Sequence, residues 1–191
     1  MDQGAIPAMK VSTRKFSRAV LCALLSLSAA AWTAPARADT VTVTAKGTVN
    51  PSCAVSNSQN FPASNFTASG SAIGKASISC NQTFKVTTTS AKGALKTTAP
   101  AVGSFSNSLP YTLKADVALD NSTTQSATCA SSTLVAGQST CTLSPANSTG
   151  LTSNGQIATN KMTTLTVSWS SALLVPGSYS DTLTFTVAVV P

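Results

Sequence analysis

The sequence predicts an all-β protein, an antiparallel β-sandwich, and three observations carry that prediction. Apolar and polar residues alternate with period two in stretch after stretch, first where Val41, Val43, Ala45, Gly47 and Val49 interleave with Thr40, Thr42, Thr44, Lys46 and Thr48. No segment keeps a helical period over a useful length. About seven alternating segments are separated by Ser-, Asn-, Pro- and Gly-rich turns, and their threonines suit polar outward strand faces.

Residues 1–38 read as a signal peptide. Lys10, Arg14, Lys15 and Arg18 form a basic n-region, Ala19 to Ala31 is a short apolar core, and Ala36-Arg37-Ala38 offers the small-x-small cleavage pattern. The apolar run is too short to span a bilayer comfortably. Of 191 residues, 153 remain after cleavage, enough for one domain with a core of its own. Five of the twelve basic residues leave with the signal, so seven scattered lysines face four aspartates and the mature charge is +3. Without a basic run or interleaved aromatics, no nucleic-acid partner is expected.

Four cysteines remain: Cys53, Cys80, Cys129 and Cys141. An even number in an exported chain points to disulfides, and no C-x-x-C or histidine supports a metal site. Three pairings are possible. The expected one joins sequence neighbours, Cys53 with Cys80 and Cys129 with Cys141, each closing a loop worth roughly 3–3.5 kcal/mol on the chain-entropy model.

In order along the mature chain, Ser52–Ser56 is a short strand entering a polar loop through Asn65 and Gly70. Lys75–Cys80 and Phe84–Ser90 are the next strands, followed by a long connection containing Gly93, Pro100 and Gly103. Leu109–Leu119 is strand-like, with Tyr111, Leu113 and Ala115 on one face. Ala127–Leu143 reads as a hairpin clipped by the second cysteine pair. Met162–Ser170 places Leu165, Val167 and Trp169 together on a core side. After the Pro176-Gly177 turn, Tyr179–Val189 is expected to be the longest strand, with Tyr179, Leu183, Phe185, Val187 and Val189 inward and Asp181 at the rim. Tyr179 is read as the anchor of that turn, with its hydroxyl on the backbone.

The residue inventory argues against an enzyme. No histidine is present for a Ser-His-Asp or Cys-His arrangement, and no glutamate is present to enrich a carboxylate pair. Gly70-Ser-Ala-Ile-Gly-Lys75 is one residue short of a phosphate loop, and Ala76 stands where a metal-binding hydroxyl is needed. Asn-x-Ser/Thr triplets begin at Asn65, Asn81, Asn121 and Asn147, a number that chance supplies in so Ser/Thr-rich a chain. No cofactor is expected.

Three pieces of the chain resemble a known family. Cys53-Ala-Val, Ile78-Ser-Cys80 with the Phe84-Lys-Val86 strand behind it, and Gly177-Ser-Tyr-Ser-Asp-Thr-Leu-Thr-Phe-Thr-Val187 are similar to the spore coat protein U domain family. That family includes subunits of archaic chaperone–usher pili such as the Csu pilus. The likeness runs over the mature chain and is sharpest at its ends, where Gly-x-Tyr-x-Asp-Thr is the most specific piece. The middle departs from the pattern. Tyr111 and Asp116 are kept, but Lys114 replaces a common aromatic, a Trp-Gly pair is missing, and Cys129 and Cys141 look like an addition.

The resemblance implies an immunoglobulin-like sandwich lacking its final strand, spanning residues 50–191, behind an N-terminal donor strand at 39–49. Val41, Val43, Ala45, Gly47 and Val49 would then enter a neighbouring subunit's groove, beside a last strand carrying Tyr179, Leu183, Phe185, Val187 and Val189. The implied partners are like pilin subunits, a periplasmic chaperone and an outer-membrane usher. The implied destination is a cell-surface fimbrium serving adhesion and biofilm formation. The rival expectation is a self-contained secreted module that binds a carbohydrate or protein through its loops and pairs its N-terminal stretch within its own sheet.

Overall fold

Alternating apolar residues are buried when the apolar face of a sheet meets another layer, and here residues of two antiparallel sheets share one core cluster. The computed structural model describes residues 46–62 and 65–190. The expected signal peptide, and Val41, Val43 and Ala45 of the opening stretch, lie outside the described residues. All the strands belong to the unit Gly47–Pro191.

Among the described residues, seven strands have seven residues or more: β1 (Cys53–Gln59), β2 (Gly70–Cys80), β3 (Phe84–Ser90), β6 (Thr112–Ala118), β7 (Thr124–Ala130), β9 (Ala158–Trp169) and β10 (Leu183–Val189). Three two-residue strands complete the set, β4 (Leu95–Lys96), β5 (Ser108–Leu109) and β8 (Leu151–Thr152). One sheet has the order β1-β2-β9-β6-β7 and the other β10-β3-β8, with β4 and β5 pairing separately. Every strand pair is antiparallel.

The inner rows follow from the period of two. Ala72, Ala76, Ile78 and Cys80 of β2, Leu113, Ala115 and Val117 of β6, and Leu165, Val167 and Trp169 of β9 line the first sheet. Phe84 and Val86 line β3, and all of these belong to one core cluster except Ala76. The outer face carries Lys114 and Asp116, 2.9 Å apart, with Ser126 donating to the same carboxylate from β7. Ser126 and then Lys114 hold the Asp116 carboxyl below its usual pKa. Two strands bulge where an asparagine takes positive φ: β1 at Asn57 (50°) and β9 at Asn160 (50°).

Two elements differ from the sequence expectation. The last strand begins at Leu183, not Tyr179, and β9 is longer at 12 residues. Ser180 pairs with Lys96, and the Asp181 carboxylate accepts from the adjacent Thr182 N–H and from the sequence-distant Lys92 N–H, so the chain turns before it can join β3. The expected clipped hairpin has only one strand arm, β7. Ser131–Leu134 forms a 3-10 turn instead, and Cys141 follows in irregular chain. The cause is burial: Leu134 and Leu143 turn into the core, which a hairpin exposed to solvent would prevent.

Both expected disulfides are present. Cys53–Cys80 joins β1 to β2, and Cys129–Cys141 ties the irregular segment to β7.

Candidate functional site: an open edge beside the last strand

The inner row of β10 stands directly opposite the inner row of β3. Leu183 faces Ser90, Phe185 faces Thr88, Val187 faces Val86 and Val189 faces Phe84. All four β3 residues are fully buried, whereas all four β10 residues are only partly buried. Cross-strand partners point to the same side of a sheet, so the difference does not come from orientation. It arises because β10 is the sheet edge, with β3 as its sole strand partner among the described residues.

The first sheet repeats the pattern at its own edge. Val55 of β1 stands opposite Ile78 of β2 on the inner side. Ile78 is 0% exposed and Val55 is 42% exposed. Strands β1 and β10, each the edge of its sheet, lie near one another. Val55 on one edge, and Leu183, Phe185, Val187 and Val189 on the other, are inner-side apolar residues that these edges leave partly or largely exposed.

Hydrogen bonds fix both ends of β10. At the Val189 end, Val190 donates its N–H to Thr83 O (2.9 Å), and Gln82 Nε2 donates to Val190 O (3.2 Å). Asn81 clamps the chain where it enters the domain, accepting from Ser52 N–H at 2.8 Å and donating to Asn50 O at 2.9 Å. At the Leu183 end, Asp181 gathers four donors: Tyr111 Oη (2.7 Å), Ser90 Oγ (2.5 Å), Lys92 N–H (3.0 Å) and Thr182 N–H (2.7 Å). Burial first, and then the hydrogen bond to the Asp181 carboxylate, outweigh an opposing bond with Ser90 and push the Tyr111 hydroxyl well above its ordinary pKa.

The remaining residues singled out by sequence sit as follows. Gly47 and Val49 precede β1 outside any strand; nothing approaches within 4 Å of where a Gly47 Cβ would stand, and Val49 is 83% exposed. Tyr179 lies ahead of β10, not within it. Its hydroxyl lies 2.9 Å from both Ser106 O and Val175 O, and its ring meets Phe66 edge-on at 6.4 Å. Trp169 packs against Phe66 at 5.0 Å and donates its indole N–H to Ala68 O. It is 7% exposed and Tyr111 is 4% exposed, so a cleft of about 510 Å³ beside them has no open aromatic face. Among the described residues, no group of three or more Cys, Asp, Glu or His residues converges as a metal site.

Sequence reasoning missed Val55 as the exposed inner side chain of the β1 edge and Phe61 as a packing residue over Gly74, whose Cβ would meet the Phe61 ring at 3.1 Å. The signal for Val55 is its place two residues after Cys53 on the same strand face. Compared with known proteins, the chain matches no family model and no curated protein.

Proposed function

We propose that this protein is a structural pilus subunit. In this reading its domain is an incomplete immunoglobulin-like sandwich, and its residues 39–49 complete the sandwich of a neighbouring copy by donor-strand exchange. The observation that carries the reading is the pair of half-exposed inner rows, on β10 and β1, beside unpaired sheet edges. An exposed edge with apolar side chains is an association hazard unless something covers it. An extended segment covers it by adding backbone hydrogen bonds along β10 and alternate side chains between the walls.

Val41, Val43, Ala45, Gly47 and Val49 supply a row of the right period, and their small size suits a narrow groove. Four small apolar side chains at roughly 1–2 kcal/mol each add to the backbone ladder that such a strand would form along β10. The same edge would require a periplasmic chaperone before assembly and an outer-membrane usher at the point of exchange. The disulfides accord with an oxidising route to the cell surface. A self-contained binding module has the 510 Å³ cleft as its best support, but the two rings nearest that cleft are turned into the core.

The test is a synthetic peptide of residues 39–50 added to a chain lacking residues 39–48. Peptide at about 100 times its dissociation constant should stabilise that chain by about 2.7 kcal/mol. An unchanged thermal midpoint at any peptide concentration, with a truncated chain that unfolds cooperatively alone, would sink the proposal in favour of the self-contained module.

A further inference from the structure

A second apolar feature lies beyond the Leu183 end of the groove. Ala99, Pro100, Val102, Phe105, Val175 and Pro176 line a cup of about 500 Å³ whose surface is almost wholly apolar. Val102 is 63% exposed, Phe105 46%, and the adjacent Leu173 59%. The cup is held firmly. Val102 and Phe105 exchange both backbone hydrogen bonds, Ser106 N–H donates to Leu173 O, and Val175 N–H donates to Ser106 O. Three large apolar side chains grouped on one rigid loop cluster mark an interaction surface, whereas scattered ones would not.

Geometry specifies the occupant. In the donating copy, Asn81 clamps Asn50 and Ser52 beside the loop 81–83, so a donor strand ending at Val49 is tethered to Cys53 by three residues. Such a tether reaches no more than roughly 14 Å. The donor's domain must therefore rest against whichever end of the groove its strand leaves. At the Val189 end stands the acceptor's own clamp, from which its own extension departs. A strand leaving there would set clamp against clamp and end in a closed pair. A strand leaving at the Leu183 end runs antiparallel to β10 and repeats head to tail without closing. That exit delivers the donor's clamp end onto the cup. Ile157, 41% exposed in the loop that bonds Asp120 N–H, provides an apolar side chain at the clamp end.

Resting on the donor-strand reading, we infer that the cup is the seat of a second copy of this chain. The clamp end of the donating subunit, with its 81–83 loop and Ile157, docks on Val102, Phe105, Pro100 and Pro176 of the subunit whose groove it fills. The strand then supplies most of the affinity, and the cup sets the angle and stiffness of the joint.

The experiment uses fibres from cells making the full-length chain, with Phe105 replaced by the photo-crosslinking benzoylphenylalanine. Irradiation should join Phe105's position to peptides containing residues 81–83 or 153–157 of a neighbouring copy. A paired variant, Val102→Asp with Phe105→Asp, should keep its response to the 39–50 peptide while average fibre length falls about threefold, the square root of the tenfold loss in association constant that about 1.4 kcal/mol per joint produces. Crosslinks confined to other surfaces, or wild-type fibre lengths in the paired variant, overturn the cup's role and leave donor-strand exchange standing. If the wild-type chain forms no strand-exchanged fibres and ignores the peptide, both ideas fall together.

Discussion

Val55 and Ile78 are neighbours across one strand pair, on one face, with opposite environments. Their substitutions should separate the fold from its assembly. Ile78→Ala removes core volume that β2 cannot recover and is expected to cost about 2–5 kcal/mol in urea denaturation of the isolated domain. Val55→Asp meets water, so the isolated domain should change by no more than about 0.5 kcal/mol. A buried incoming strand would then trap that aspartate unpaired, and peptide binding should weaken by two orders of magnitude or more, on the order of 3 kcal/mol. Equal losses of domain stability from the two variants would mean that the β1 edge is closed. Alternation in the sequence places both side chains on the inner side, but a residue and its partner look alike there. Only the strand order, with β1 outermost, tells which one is uncovered.

The placement of β10 depends on what lies ahead of it. Phe84–Ser90 could be delimited from sequence because its ends are marked by Asn81 behind and the Gly93 turn ahead, with a run rich in Val and Thr between. The start of β10 was not legible, since Tyr179, Asp181 and Leu183 keep the same period across the true boundary. What breaks the strand is a long-range arrangement: Asp181 drawn to Tyr111, 70 residues away, and to Ser90, 91 residues away. The 3-10 turn at Ser131–Leu134 escaped for a related reason, because burial of Leu134 and Leu143 depends on the sheet they reach.

The Tyr111–Asp181 bond makes a pH prediction. The folded state holds the Tyr111 proton above the ordinary value of 10.0, so an unfolded chain ionises first as pH rises. Stability tied to this group is complete below about pH 10 and is lost as pH climbs beyond it. Urea midpoints measured from pH 8 to 11 should fall more steeply for the native chain than for Tyr111→Phe. Asp181→Asn should in addition loosen the start of β10, exposing Leu183 amides to faster hydrogen exchange at neutral pH. Parallel pH curves for native and Tyr111→Phe chains would remove Tyr111 from the account.

At the scale of the whole molecule, seven long strands and two sequence-neighbour disulfides were readable because period and parity are local properties. Which edges stay uncovered was not readable from residues alone, because edge position depends on the strand order of the whole fold. The Cys53–Cys80 bond secures one of those edges, β1. Replacing both cysteines by serine should destabilise the domain by about 3 kcal/mol in urea denaturation and free β1 first, seen as early protease cleavage between residues 53 and 59. Stability equal to that of the oxidised chain would show that strand pairing alone retains β1.

The position of this bond has a mechanical meaning. A pull applied ahead of Asn50 arrives at Cys53 and crosses a covalent link to Cys80, so it enters β2, which is flanked by strands on both sides. The outermost strand, the one most easily peeled, is bypassed. Tension that would unzip β1 ladder by ladder is carried instead by a sulfur–sulfur bond, and the whole segment between the two cysteines stays slack.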